Sequence, residues 1–450
     1  MKILAKYRQP RLSRSAFELL VTVGPFVALW ALTYVSLMQE FWPGLILVVP
    51  AAGFLLRLFM IQHDCGHGSF FARRRLDTWI GRTLGVLTLT PYDYWRRAHS
   101  LHHASAGNLD ERGIGDITTL TVEEYRTRSW SGRLAYRLYR HPLVMFGIGP
   151  AWLFLCKQRL PFGMMRSGAM PWVSTMSTNL AVAVLAASMI WAVGFVPFIL
   201  IHLPVVLLAG AAGVWLFYVQ HQFDETHWSK TEEWQFPQAA LHGASHYDLP
   251  VVLRWLSGNI GVHHIHHLSS RIPYYRLPDV LREHPELAGI GRITLWQSLG
   301  CVRLALWDER IGKLVSFREA ASANIVQQPS GGREVDAFRC RGNLCENRSL
   351  QGAADQGEIA DHSNIGRVDR PWPSASPQSR GCTGTVCARH YDGRQDVAAE
   401  AQITPSAIRS WNLARAFPPS KASTPRLLSG PNRWQLSFRR PGPAAYRAGQ

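Results

Sequence analysis

Four apolar runs in this chain are each long enough to cross a lipid bilayer, and that length decides most of what it can become. They cover residues 16–38, 44–62, about 177–197 and 200–219. Hydrocarbon offers no hydrogen bonds, so a spanning backbone must satisfy its own amides, and a stretch of about 20 apolar residues does so as a helix. The expected fold class is an all-α membrane protein with four transmembrane helices. A polar break at 39–43 joins the first two runs and a tight turn near 194–197 joins the last two; neither holds Lys or Arg. Lys2, Lys6, Arg8, Arg11 and Arg14 precede the first run, and Arg73, Arg74 and Arg75 follow the second. By the positive-inside rule both termini are predicted to be cytoplasmic. The basic start resembles the n-region of a signal peptide, but no small-residue cleavage site ends the run after it. Arg57, near the far end of the second run, is expected to snorkel to the interface. Residues 79–95 and 142–156 are apolar but too short to span, which suits interfacial or re-entrant segments.

Three histidine clusters lie beyond the ends of these runs. They read His63-Asp64-Cys65-Gly66-His67, His99-Ser100-Leu101-His102-His103 and His263-His264-Ile265-His266-His267. H-x3-H places two imidazoles one turn apart on a helix, and H-x2-H-H offers rings at i, i+3 and i+4 on one face. Imidazole suits iron, copper, zinc and nickel. The clusters hold more imidazoles than one four-coordinate zinc can use, so two metal ions are the economical reading. A membrane protein that placed so many polar rings for packing alone would do so at a cost. A metal transporter or sensor would put polar residues inside the spans near the midplane; here the spans are nearly free of ionisable groups and the histidines lie past their ends.

The net charge of +17 over 450 residues would suit a nucleic-acid binder. Interleaved membrane-length runs argue against one, and the charge is assigned to membrane-facing basic residues and an Arg-rich tail. From residue 321 the apolar periodicity stops and Arg, Ser, Gly and Pro dominate, a composition expected to be disordered. The seven cysteines imply no disulfide framework. Cys65 sits inside the first cluster but points away from the face of His63 and His67. Cys340-x4-Cys345 and Cys382-x4-Cys387 in the tail are a weak zinc pattern.

The clusters and the words around them resemble the membrane fatty acid desaturases, of the bacterial acyl-lipid or omega-6 type. The resemblance rests on HDCGHGSFF (63–71), HSLHHASAG (99–107), FYVQHQFDETHW (217–228) and GNIGVHHIHHLSSRIPYYRL (258–277) and covers about residues 10–320. The tail beyond resembles nothing in the family. The resemblance implies a desaturase domain over 1–320, with a cytoplasmic helical cap over the four spans that holds a histidine-rich di-iron site. By position the implied ligands are His63 and His67; His99, His102 and His103; His221; and His263, His266 and His267. His264 is also three residues from His267, so spacing leaves it open, while the family pattern favours His263. In animal acyl-CoA desaturases an asparagine stands four residues before the histidine matched by His221; here that position is Phe217.

Breaking an unactivated C–H bond needs a strong oxidant, which a redox metal with O2 supplies and zinc does not. The implied reaction is O2-dependent insertion of a double bond into the acyl chain of a fatty acid or lipid. Hydroxylases, ketolases and epoxygenases share such boxes and are the alternative. No dinucleotide fingerprint or H-P-G-G haem motif is present, so electrons are expected from a separate donor, ferredoxin or flavodoxin in bacterial relatives. Arg73–Arg75, Arg96 and Arg97 could dock such an acidic partner or face anionic lipid. The implied location is the bacterial inner membrane with a cytoplasmic active site. Asp64, Asp110, Asp224 and Glu225 are candidates to orient the imidazoles, and His227, His242 and His246 lie near the clusters in sequence. His141, His202, His284, His362 and His390 stand apart.

Overall fold

The computed structural model describes residues 3–113 and 115–325. The part of the expected tail from 326 on, with its four cysteines, lies outside the described residues. The chain enters through helix α1 (Leu12–Met38), then a 3-10 turn (Trp42–Leu47) that runs into α2 (Val48–His67). Two short helices follow, α3 (Arg74–Leu87) and α4 (Tyr92–Ser105), which divide the interrupted apolar stretch 79–95 between them. Next come β1 (Leu120–Thr121), α5 (Val122–Thr127), α6 (Trp130–Arg140), a π-helical turn (Leu143–Ile148) and α7 (Gly149–Leu155). The last two long helices are α8 (Ala169–Val193) and α9 (Phe195–His221). The remainder is built from α10 (Phe236–His242), β2 (His246–Asp248), α11 (Val251–Leu256), α12 (His263–Leu268), α13 (Leu277–Glu283), β3 (Arg292–Thr294), α14 (Leu295–Cys301), β4 (Leu306–Asp308), β5 (Lys313–Val315) and α15 (Phe317–Ile325). The last helix runs past the boundary expected at residue 320.

Four helical segments are long and apolar enough to span: Leu12–Met38, Trp42–His67, Ala169–Val193 and Phe195–His221. This matches the number and order of the four runs, and only Gly194, with φ of 88°, separates α8 from α9. α8 begins earlier than the run at 177, because its first turns pack on the cap. Pro171, Ser174, Thr175 and Thr178 are buried there, and the Ser174 hydroxyl accepts from the Tyr94 amide at 3.2 Å. α2 is the centre of the bundle and packs against α1, α3 and α9. It buries Ala51, Leu55, Leu58 and Ile61 completely or nearly so. α8 buries almost none of its most apolar window inside the protein, as a lipid-facing helix should.

The spans are not free of charge. Glu18 of α1 and Arg57 of α2 are each 1% exposed and form an ion pair. Arg57 also donates to the Thr22 hydroxyl (3.2 Å) and the Trp255 carbonyl, and its guanidinium lies 3.9 Å from the Trp255 ring. So Arg57 does not snorkel: a carboxylate one helix away offsets its charge where it stands, so the side chain has no need to reach water.

Small strands decorate the helical cap. β1 pairs parallel with β4, which pairs antiparallel with β5, and β2 pairs parallel with β3. At two or three residues each they are too short for an alternating pattern to mark them in sequence. The β2–β3 pair serves the site directly, because the Ser245 carbonyl beside β2 accepts from the amides of His263 and His264 (3.2 and 3.3 Å) and seats the start of α12.

Candidate metal centre

The first cluster ends the spanning helix α2 and His221 ends the spanning helix α9, while the second and third clusters lie on the short helices α4 and α12. α2 ends immediately after His67 because Gly68 takes a left-handed conformation (φ 64°). Its amide returns to the Cys65 carbonyl, and the Ser69 amide to the Asp64 carbonyl, both at 3.0 Å. A side chain at position 68 would strain that turn. α9 ends on His221. Both helix ends arrive on the same side, and α4 and α12 cross between them with the second and third boxes.

The nine histidines expected as ligands converge, and they converge as two groups. His63, His67, His99, His103 and His266 bring one ring nitrogen each within 4.8 Å of one another; His102, His221, His263 and His267 do the same. The boxes therefore do not act as single faces. In α4 the i,i+4 pair His99/His103 joins the five-imidazole group and His102 joins the four. In α12 the assignment is reversed: His263/His267 join the four and His266 the five. Neighbouring rings i+3 and i+4 differ by roughly 100° around a helix, enough to aim them at two adjacent points. The groups abut where His103 and His267 stack with centroids 4.1 Å apart.

Nitrogen spacing tests the fit to metal. Nε2 atoms of His67 and His99 are 3.0 Å apart, and those of His99/His103 and His103/His266 are 3.1 Å apart. In the other group His102/His221, His221/His263 and His263/His267 are all at 3.1 Å. Ligands about 2.1 Å from an ion stand roughly 3.0 Å apart around an octahedron and roughly 3.4 Å apart around a tetrahedron. The observed edges suit an octahedral or square-based sphere.

Protons sharpen the test. His102 Nδ1 bonds the Asp116 carboxylate and His221 Nδ1 bonds the Gly243 carbonyl at 3.3 Å. Each Nδ1 is thereby the N–H, which leaves both Nε2 atoms as bare lone pairs facing each other at 3.1 Å. Two lone pairs at that distance repel unless a cation lies between their axes. Burial holds His99, His103, His263, His266 and His267 well below the usual imidazole range, and the neighbouring rings push the same way, so these five offer neutral nitrogens. The residues fit two metal ions.

The supporting contacts divide the remaining candidates. Asp64 orients His63 (Oδ1 to Nδ1, 3.2 Å) and accepts the Tyr274 amide at 2.6 Å; the Tyr274 hydroxyl in turn meets Glu18 at 3.2 Å. The five-imidazole group is thus tied to the buried ion pair. Asp110 instead bonds the Thr231 amide, and Asp224, Glu225, His227 and His242 are exposed. His246 bonds the Ala288 carbonyl at 2.6 Å. His264 turns away to the Leu287 carbonyl at 3.0 Å, and burial takes it down to about 4. Sequence reading missed Asp116 and the Gly243 carbonyl, and no periodicity marks either. It also missed that Phe59 and Trp95 stand four residues before His63 and His99, as Phe217 stands before His221. Trp95 stacks on His99 at 4.8 Å and meets Phe59 at 5.4 Å; Phe217 lies 5.0 Å from both His102 and His221. Each of these rings lies one helical turn before a histidine, Phe59 and Trp95 against the five-imidazole group and Phe217 against the four-imidazole group. A Cβ at Gly66 would come within 3.0 Å of Trp95, so glycine there lets the indole lie close.

Four membrane-length helices, two of them ending in histidines that join those of α4 and α12 in two imidazole groups, define a polytopic membrane protein with a candidate dinuclear metal centre. The chain belongs to the fatty acid desaturase family: the family profile described as "Fatty acid desaturase" matches residues 40–298. It is 46% identical to a fatty acid desaturase of Bacillus subtilis over 70% of this chain and 90% of that protein. It is 31% identical to an sn-1 acyl-lipid omega-3 desaturase (ferredoxin) of Synechocystis sp., over 49% of this chain and 61% of the relative. An sn-1 oleoyl-lipid 12-desaturase of the same organism is 27% identical over 49% and 62%. The protein is a fatty acid desaturase of the integral membrane type.

Proposed function

We propose that the two imidazole groups hold two iron ions and that the chain uses O2 to insert a double bond into the acyl chain of a membrane glycerolipid. The observation that carries this reading is the pair of bare Nε2 lone pairs of His102 and His221, 3.1 Å apart. Bound iron with O2 would supply an oxidant strong enough for an unactivated C–H bond. The balance is one O2, two electrons and two protons taken up with the two hydrogens of a –CH2–CH2– unit, giving –CH=CH– and two waters. His63, His67, His99, His103 and His266 are the proposed ligands of one ion, and His102, His221, His263 and His267 of the other. Asp64, Asp116 and the Gly243 carbonyl hold three Nδ1–H groups so that the opposite nitrogens stay free. Phe59, Trp95 and Phe217 offer the acyl chain an apolar surface and keep water from the reacting carbons. Phe217 gives the four-imidazole group no polar fifth ligand.

An acyl chain already in the bilayer fits a site at the ends of α2 and α9, and the sn-1 acyl-lipid relatives support a glycerolipid carrier. The two electrons taken up would come from a ferredoxin- or flavodoxin-like protein, in keeping with the ferredoxin-linked relative. Arg73, Arg74, Arg75 and Arg97 are exposed and form no ion pair among the described residues, whereas Arg96 meets Asp93 at 3.5 Å. The four free arginines are the better docking surface. The positive-inside distribution supports a site on the cytoplasmic side of the bacterial inner membrane, and the proposed desaturase unit is residues 1–320, with the tail proposed to be dispensable. Gas chromatography of fatty acids from an expressing host tests the reading. New unsaturated glycerolipid chains should form only with O2 present; new hydroxy acids in their place, or double bonds formed without O2, would overturn it.

A further inference from the structure

α6 (WSGRLAYRLYR) carries a feature that the desaturation chemistry does not use. Trp130, Leu134 and Leu138 recur every four residues and are 72%, 41% and 54% exposed. On a 3.6-residue helix they form one stripe. Tyr136 and Arg140 are the helix's buried residues and lie on roughly the opposite side. Arg133 is exposed along one margin of the stripe, Arg137 beside it donates to the Tyr125 hydroxyl at 2.6 Å and lies 4.8 Å from the Phe317 ring, and the helix has no acidic residue. Three large apolar side chains in a row are not left in water without a partner of their own kind.

The partner follows from what adjoins the stripe. The chain continues from α6 into the π-helical turn and α7, which run down the side of the spanning helix α9. Phe146 packs on Trp215 at 5.0 Å, and further along a Cβ at Gly210 would come within 2.9 Å of the Phe154 ring. Leu143, Ile148, Trp152 and Leu155 stay exposed along this descent. The C-terminal end of α6 is fixed at the level where α9 ends, since Arg140 donates to the Tyr218 hydroxyl (3.2 Å) and to the Gln222 side chain (2.9 Å). The stripe is therefore continuous with surface that faces lipid, at the height of the bilayer boundary.

We propose that α6 is a bilayer-surface helix, lying in the leaflet on the side of the imidazole groups with Trp130, Leu134 and Leu138 in the acyl–headgroup boundary and Arg133 at its phosphates. Its inner face then bears on the site. The Tyr136 and Tyr139 hydroxyls accept from the amides of Leu120 and Thr118, both at 3.1 Å, and Arg140 donates to the Thr118 carbonyl at 3.3 Å. Those residues continue the segment that brings Asp116 to His102. The lipid surface and the four-imidazole group are held by opposite faces of one helix.

Cysteine accessibility tests this with a readout other than turnover. In the full chain, Cys156 and the four tail cysteines become Ser, while Cys65 and Cys301 stay because they are buried. L134C, L138C and, as an exposed reference on α5, E123C are treated with a membrane-impermeant maleimide in opened membranes. E123C should label readily, and L134C and L138C at least about tenfold more slowly, with desaturation retained in each variant as the check of folding. Labelling of L134C as fast as E123C would overturn the proposal. So would high-yield L134C–L134C disulfide dimers on mild oxidation, because a second copy of the chain rather than lipid would then cover the stripe.

Discussion

The two imidazole groups are built from the same boxes yet supported in different surroundings. The five-imidazole group takes both histidines of α2. Behind it, Asp64 leads through Tyr274 to the Glu18–Arg57 pair buried between spanning helices. The four-imidazole group takes His221 from the end of α9 and leans on Asp116, a carboxylate on an irregular loop beside a small cavity lined in part by Asn108, Arg112, Phe217 and Gln222. One group is braced from the membrane side and the other from the cap. Because α4 and α12 each contribute to both groups, neither can form alone.

The largest effects should come from removing ligands, and the groups should respond unequally. H263A leaves three imidazoles in its group while H67A leaves four in the other. Both should abolish desaturation. Metal analysis should show H263A losing one whole ion and H67A keeping more; equal loss in both would mean that the groups are not distinct spheres. H99A, H102A and H267A should also be inactive. One tier down are the orienting carboxylates. D116N and D64N should each lose about 10- to 100-fold in metal affinity or activity, read by chelator competition and turnover, and D116N should affect only the ion of the four-imidazole group.

The buried pair behind Asp64 should register as stability. E18Q leaves Arg57 uncompensated and should cost about 3 to 5 kcal/mol, seen as a lower unfolding midpoint in detergent. E18L with R57L should cost less, since both charges leave together; a double variant as unstable as E18Q would contradict the ion-pair account. The smallest effects are expected outside both groups. H264A should keep metal content and turnover near wild type, and a chain cut after residue 325 should still insert and desaturate. Loss of turnover on truncation with metal retained would show that the tail contributes to catalysis.

Much of this was legible in sequence, for physical reasons. Bilayer-length apolar runs can form only a few structures, so α1, α2, α8 and α9 were expected with small errors at their ends. The family resemblance named the nine converging histidines by position, whereas box spacing left His264 open and gave no sign of His221. Spacing did not separate them into two groups, because i+3 and i+4 share a helix face and only the crossing of α4 and α12 decides which ring aims where. His263 over His264 was a matter of family pattern until the Leu287 carbonyl was seen to take His264. Asp116 follows His103 through an irregular loop that carries no period. Glu18 and Arg57 lie on different helices, so Arg57 alone read as a snorkelling residue. α6 carries no mark in sequence, because three arginines interrupt a stripe of only three apolar side chains.

The central claim is that nine imidazoles make two iron sites in one chain. Elemental analysis of the purified full-length protein, with metals measured against protein by amino-acid analysis, tests it most directly. The expected result is about two iron ions per chain with little zinc, because the neutral imidazole sets fill two coordination spheres. One zinc per chain and no iron would contradict the account.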